Sequence, residues 1–353
     1  MKYSFIIPVY NRPDEVDELL QSLTEQELKD FEVVIVEDGS QKPCKDVCDK
    51  FADILDLHYY VKENGGPGQA RNYGAERAHG EWLIILDSDV VLPKGYLKAV
   101  EDGLRGERRE ERGEFAAFGG PDASHPSFTP VQKAISYSMT SFFTTGGIRG
   151  GKKKLDKFYP RSFNMGIRSD VYQQLGGFSK MRFGEDIDFS YRIVEAGYNP
   201  QLIPDAWVWH KRRTDFRKFF RQVYNSGIAR INLEKRHPGT LKLVHLLPMV
   251  FTVGVIALIL IAAVARAMIH YDAANWHTWY WIYLLALSPI LFYSLIIFID
   301  SSIKNKSMKV GLLSVPAAFV QLMGYGFGFI ESWWKRCVMK KDEFQAFEKN
   351  FYK

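Results

Sequence analysis

Apolar residues in the first two-thirds of the chain fall in short runs between polar stretches, and in the last third they form three long blocks. Ser4 to Val9 reads as a buried strand. Asn11 is placed to cap the helix that follows, with Pro13 in its first turn, where a missing N–H costs nothing. Val16, Leu19, Leu20 and Leu23 then recur at helical spacing. Phe31 to Val36 is a second apolar strand, followed by a helix around Lys45 to Ile54 and a strand around Leu57 to Val61. Asn64-Gly65-Gly66-Pro67-Gly68 is a turn, Gln69 to Ala78 a helix, and Trp82 to Leu86 the next strand. This alternation predicts an α/β fold with a mostly parallel sheet and flanking helices, whose ligands bind beyond the carboxyl ends of the strands. Asp38, the glycine turn, Asp87 and Asp89 all fall at those ends.

Further on, Ala116 to Gly120 resumes the sheet, Pro130 to Phe143 suits a helix, and Phe163 to Ile167 is a short strand. Arg182 to Gly197 has the pattern of an amphipathic helix with Glu185 and Asp186 just after a glycine at its entrance. The segment Thr144 to Lys157, rich in glycine and lysine, is either a plain surface loop or a basic flap over phosphates. From Asp215 to Lys235, Phe216, Phe219, Phe220, Val223 and Ile231 share a helical face, with Arg217, Lys218, Arg221 and Arg230 interleaved. Such a helix suits the membrane interface, the alternative being packing against the globular part.

Three stretches approach the ~20 apolar residues that a bilayer core demands: Leu243 to Ala265, Trp279 to Ile299 and Val310 to Ile330. Trp276, Trp279, Trp281, Trp333 and Trp334 stand at their edges, as interfacial anchors do. Lysines at 304, 306 and 309 and the basic tail at 335, 336, 340 and 341 both argue for the cytosolic side, which three full spans cannot satisfy together. Either the third stretch, with Gly324, Gly326 and Gly328, is re-entrant, or its glycines mark close helix packing. The expected division is a catalytic domain over 1–213, an interfacial helix over 214–240, two or three spans over 241–335 and a basic tail over 336–353.

Charge refines this picture. The net charge of +5 concentrates between Lys211 and Arg236 and after Lys335, beside apolar spans, which points to an anionic bilayer surface and away from nucleic acid. Three cysteines, Cys44, Cys48 and Cys337, make no even framework and read as reduced thiols. The N-terminus opens straight into a strand without a signal-peptide pattern, so the catalytic part is expected in the cytosol, on the inner face of a cell membrane.

The motifs FIIPVYNR, VEDGS, the glycine turn with Ala70-Arg71-Asn72, LDSDV, NMGIRSDVYQQLGGF and GEDIDFSYRIVEAGY follow the order typical of family 2 glycosyltransferases, which this chain resembles over about residues 3 to 213. The resemblance implies a GT-A nucleotide-sugar-binding domain and inverting transfer from a UDP- or GDP-linked donor. It places Asp89 of the Asp-Ser-Asp motif on a divalent Mg²⁺ or Mn²⁺ ion and Asp87 on the ribose or beside the metal. Asp38 is assigned to the nucleoside, with Pro8 and Tyr10 lining the base pocket, although Glu37-Asp38 replaces the family's usual pair of aspartates. Arg71 is a diphosphate contact or a surface arginine.

Asp186 is the expected general base, the two neighbouring carboxylates raising each other's proton affinity, and Glu185 alternatively positions the acceptor. His210, ending the apolar run WVWH, is either structural or completes the metal or diphosphate site; Arg212 and Arg213 neutralise phosphate or face lipid headgroups. The Gln-x-x-Arg-Trp motif of polymer-extending relatives is missing, since Arg221-Gln222 is followed by VYNSG. One sugar per encounter is therefore expected, delivered to a lipid-linked or glycolipid acceptor in cell-envelope glycan synthesis. The alternatives are a polyprenyl-phosphate sugar transferase and a non-catalytic nucleotide-sugar-binding scaffold.

Overall fold

The computed structural model of the protein describes residues 1–106, 114–123, 125, 127–145, 158–211, 213–344 and 346. The possible flap at 146–157 and Arg212 lie outside the described residues. The chain separates into two compact units, one made of 1–126 and 152–211 with the last two residues, the other of 127–151 and 212–351. The segment that begins at Ser127 thus joins the C-terminal unit, although the sequence pattern grouped it with the catalytic part.

The first unit opens with β1 (Tyr3–Val9), α1 (Pro13–Thr24), β2 (Phe31–Asp38), α2 (Lys45–Asp49), β3 (Leu57–Lys62), α3 (Pro67–Ala75) and β4 (Trp82–Leu86). After β5 (Val90–Val91) and α4 (Tyr96–Gly106) come β6 (Ala117–Gly119) and β7 (Asp122–Ala123). The unit closes with β8 (Asn164–Arg168), α7 (Ser169–Gln174), α8 (Glu185–Glu195), β9 (Gln201–Leu202) and β10 (Val208–His210). The main sheet runs β3-β2-β1-β4-β8-β6-β9. Its first four strands are parallel, and β8 is antiparallel to both β4 and β6. The expected mixed α/β sheet is therefore present.

Both faces of this sheet are apolar because both are covered. One face buries Phe5, Ile7, Val33 and Ile35 with Leu19 and Leu20 of α1 and Leu97 of α4. The other buries Ile6, Val34, Leu83 and Ile85 with Ala70 of α3, Val171 of α7 and Phe189 of α8. The chain steps outward from β1 to β2 to β3 and then returns across β1 to β4, so the strand order reverses between β1 and β4, where doubly wound sheets open a crevice.

Asn11 does not cap α1. It takes a positive φ of 55°, and its side-chain oxygen accepts from the backbone N–H groups of Gln41 and Lys42, tying the end of β1 to the loop after β2. Arg12 is the N-cap residue instead.

The second unit contains α5 (Pro130–Thr140), α6 (Phe142–Thr145), α9 (Phe216–Arg236), α10 (Leu247–Tyr271), α11 (Trp276–Asn305) and α12 (Met308–Trp333). Three helical segments, Leu243–Tyr271, Trp276–Asn305 and Met308–Val338, are long and apolar enough to cross a membrane. The third is one continuous helix through Gly324, Gly326 and Gly328, and these glycines sit at close helix packing. A Cβ at Gly328 would strike the Tyr224 carbonyl of α9, one at Gly227 of α9 would strike the Tyr325 carbonyl of α12, and one at Gly326 would strike Thr252 of α10.

The apolar face of α9 is accordingly filled by protein: Phe219 and Val223 are buried with Ile135 and Met139 of α5 and with Val320 of α12. Amphipathicity alone had pointed to lipid. Gly227→Leu should overpack this seam by on the order of 1–3 kcal/mol and lower the melting temperature of the detergent-purified protein. An unchanged transition would mean that the two helices do not pack so closely.

Candidate active site

Four strand ends supply the polar groups of the first unit's crevice. Beyond β2, Asp38 is engaged by its own chain: Oδ1 accepts from Lys62 Nζ at 2.8 Å and Gly65 N at 2.9 Å, and Oδ2 accepts from Gly66 N at 2.8 Å. Its carboxylate therefore holds the glycine turn that starts α3. Glu37 faces elsewhere, accepting from the Cys44 amide, Tyr59 and Ser40, which makes it a buried structural acceptor. Pro8 and Tyr10, at and just beyond the end of β1, are both partly exposed.

The end of β4 carries Asp87 and, after the turn, Asp89. Trp209 and His210 of β10 pair antiparallel with Val91 and Val90 of β5, and this short ladder brings His210 onto Asp89. His210 Nε2 lies 3.2 Å from Asp89 Oδ1, and Phe163 stacks on the imidazole with ring centroids 4.9 Å apart. Asp89 Oδ2 accepts from Arg12 Nη1 at 2.8 Å.

Asp87, Asp89 and His210 each offer a ligand atom within 4.8 Å of the others. Nδ1 of His210 is buried and makes no hydrogen bond among the described residues. Two carboxylates and an imidazole suit Mn²⁺ well and Mg²⁺ through the oxygens, so the donor set fits a divalent ion.

Arg71 is no surface arginine. Only 3% of its side chain is exposed, and it bridges the two acidic clusters, with Nη2 donating to Asp87 at 2.7 Å and Nη1 to Glu185 at 2.9 Å. Its guanidinium also lies over the Phe178 ring at 5.2 Å. Gly184, at φ 83°, adopts the left-handed conformation that lets the chain turn into α8. The helix then points its positive N-terminal end at Glu185, Asp186 and Asp188.

The adjacent carboxyls are driven apart. Burial pushes Glu185 up to about 7, helped by the Asp186 charge and opposed by Arg71. Burial also works against ionised Asp186, but the Arg161 guanidinium outweighs it, donating from Nε to Oδ2 at 2.5 Å, and holds this carboxyl below its usual range. Its other oxygen accepts from the Ile187 amide. Of the expected mutual rise, the half on Glu185 is met, and that on Asp186 is overturned by Arg161.

A carboxyl whose pKa is higher in the folded than in the unfolded chain contributes stability below its unfolded value and loses it as pH rises through its folded value. Glu185→Gln cannot ionise. The melting temperature of the variant minus that of the wild type should therefore climb between pH 5 and pH 8. Parallel curves would place the raised pKa elsewhere.

The sequence pattern did not single out Arg12 or Arg161 as site residues. Arg12 stands inside the PVYNR motif without an assigned role, and Arg161 precedes β8 with no local signal at all. Asn164, which opens that strand, fixes the neighbourhood by donating to the Ala206 carbonyl and accepting from the Tyr96 hydroxyl.

A doubly wound sheet with an Asp-x-Asp pair, a histidine and a helix-borne Glu-Asp pair at its carboxyl edge is a GT-A domain. The chain belongs to the family 2 glycosyltransferases: the family description "Glycosyl transferase family group 2" matches residues 82–297, and "Glycosyl transferase family 2" matches residues 4–109. Among curated relatives, poly(ribitol-phosphate) beta-N-acetylglucosaminyltransferase TarS of Staphylococcus aureus is 38% identical over 102 residues, which are 28% of this chain and 18% of that protein. Glycosyltransferase AglE of Haloferax volcanii is 26% identical over 240 residues, 65% of this chain and 73% of that one. The mannosyltransferase PcManGT of Pyrobaculum calidifontis, solved with GDP-Man and Mn²⁺, shares the fold at a TM-score of 0.55 and 15% identity, over 95% of this chain and 88% of that one.

Proposed function

We propose that this protein is a membrane-associated inverting glycosyltransferase that moves one sugar from a UDP- or GDP-linked donor to a lipid-linked or glycolipid acceptor in cell-envelope glycan synthesis. The observation that carries the reading is Arg71, which joins Asp87 of the donor-side cluster to Glu185 of the acceptor-side pair. Asp87, Asp89 and His210 would hold Mg²⁺ or Mn²⁺, which when bound stabilises the negative charge of the departing diphosphate. Arg12 and Arg71 orient Asp89 and Asp87, while Pro8, Tyr10 and Asp38 bound the nucleoside end.

In the transfer itself, the acceptor oxygen bonds to the anomeric carbon as the bond to the diphosphate oxygen breaks, and the hydroxyl proton passes to Asp186. The nucleoside diphosphate leaves with the electron pair, and a single displacement inverts the anomeric centre. Nucleotide-sugar complexes of relatives support the donor class: the PcManGT structure contains GDP-Man. The three apolar helices support a membrane site, with the first unit on the cytosolic side, where an amphiphilic acceptor is confined and its encounter rate raised.

A second reading, a polyprenyl-phosphate acceptor, is favoured by one observation. Arg161 on Asp186 offers a cation to an anionic nucleophile, and a carboxyl held low is a weak base. The test of the class is release of nucleoside diphosphate from a panel of nucleotide sugars by detergent-purified protein with its membrane lipids, with and without Mn²⁺ or Mg²⁺. Metal-dependent turnover of one donor is expected. Nucleotide binding without turnover in the presence of every candidate lipid acceptor would support the scaffold reading.

A further inference from the structure

A second group of metal-binding side chains lies at the other end of the same strands. Glu32 is the second residue of β2 and Asp38 its last, so about 20 Å of strand separates it from the crevice. Its carboxylate is buried at the start of the sheet. Oε1 is fully engaged, accepting from Ser4 Oγ at 2.6 Å and from the His79 amide, and Ser4 Oγ in turn accepts from Gly80 N at 2.7 Å. These contacts aim Oε2 outward at two imidazoles.

His79 Nδ1 lies 3.1 Å from Oε2, His58 Nε2 lies 3.4 Å from it, and Asp56 Oδ1 lies 3.1 Å from His58 Nε2. The ligand atoms of Glu32, Asp56 and His58 all fall within 4.8 Å of one another. Zinc bonds to nitrogen and oxygen of about 2.0–2.1 Å imply a tetrahedral edge of about 3.3 Å. The two separations around His58 Nε2 match that edge, and 3.4 Å is long for a hydrogen bond.

We propose that Glu32, Asp56 and His58 form a structural site for a borderline divalent ion of the Zn²⁺ class, with His79 beside Glu32 as its outer partner. An imidazole beside two carboxylates favours that ion over Mg²⁺ or Ca²⁺, which take oxygen ligands. Ser4 and the His79 amide are the outer shell that orients the buried carboxylate. His79 is 73% and Asp56 50% exposed, so an ion has a path from solvent. Bound there, it would tie the start of β2 to the start of β3, with the turn before β4 held to Glu32 by His79. The proposal stands independently of the transferase reading.

The test uses full-length protein in detergent, stripped with a chelator and titrated with Zn²⁺, in the wild type, Asp89→Ala and His58→Ala/His79→Ala. The Asp89→Ala variant removes the crevice as a competing site. Wild type and Asp89→Ala should each keep a tight zinc equivalent and melt several degrees higher with zinc. The double variant should lose that equivalent and the zinc-dependent rise. Co²⁺ in its place should give the intense visible absorption of a tetrahedral ion, absent from the double variant. Should the double variant fold poorly, His79→Gln at its exposed position should still weaken binding by roughly tenfold or more. Equal zinc uptake and equal melting shifts in the His variants and the wild type would overturn the site, leaving the imidazoles as partners of Glu32 alone.

Discussion

Replacing Asp186 by asparagine is expected to lower kcat by about 10²–10⁴ with a hydroxyl acceptor and to spare most of it with a phosphate acceptor. An amide cannot take the proton that a hydroxyl must lose, whereas a phosphate nucleophile arrives already ionised. The environment of Asp186 sharpens this. Arg161 occupies Oδ2 and the Ile187 amide occupies Oδ1, so the carboxylate is ionised at any working pH but has little affinity for a proton. An acceptor hydroxyl that displaces the guanidinium from Oδ2 both reaches the base and restores its affinity. Arg161→Gln should therefore move the acid limb of the kcat/KM profile to higher pH, because the charge that holds the carboxyl low in the free enzyme is gone. Equal losses with both acceptor types in Asp186→Asn would remove the proton-transfer role. Full activity with a hydroxyl acceptor would do the same.

Asp89→Ala is expected to cost about 10²–10³ in kcat and most of the response to Mn²⁺. Asp89 is the hinge of its cluster: one oxygen takes Arg12, and the other faces His210. Its loss leaves the Arg12 charge without this partner and Asp87 and His210 without the group between them. The measurement is diphosphate release across a Mn²⁺ series, with Mn²⁺ binding followed by its electron paramagnetic resonance signal. His210→Ala should show a smaller loss in both. If Asp89→Ala keeps the wild-type Mn²⁺ dependence, the ion is held elsewhere.

Much of the first unit was legible in the sequence because the central parallel strands β1, β2 and β4 are largely apolar runs. Phe31–Asp38 and Trp82–Leu86 lie almost where the pattern put them. The acidic residues were legible too, since they end those runs. Their electrostatics were not. Arg71 meets Glu185 across 114 positions of sequence, and Arg161 meets Asp186 across 25, so no local pattern records which carboxyl is raised and which lowered.

The short ladder that carries His210 also escaped. Val90–Val91 and Val208–His210 are too short for alternation to show. For α9 the pattern displayed an apolar face but not its cover, and glycines on α12 supply the cover by letting the two backbones approach. Asn11 failed as a cap because the chain there needs a positive φ, which Asn tolerates at a small cost.

The membership of α5 in the C-terminal unit has a consequence for synthesis. Ala134, Ile135 and Tyr137 find their buried partners on α9, α11 and α12. The last of these helices begins at Met308, so α5 leaves the ribosome well over a hundred residues before its partner does. At ~5–20 residues per second the wait lasts on the order of ten seconds or more. Throughout that interval the nascent chain carries a helix with an uncovered greasy face, a target for a holding chaperone or for the insertion machinery itself. A polypeptide ended after Lys211 would carry that burden permanently.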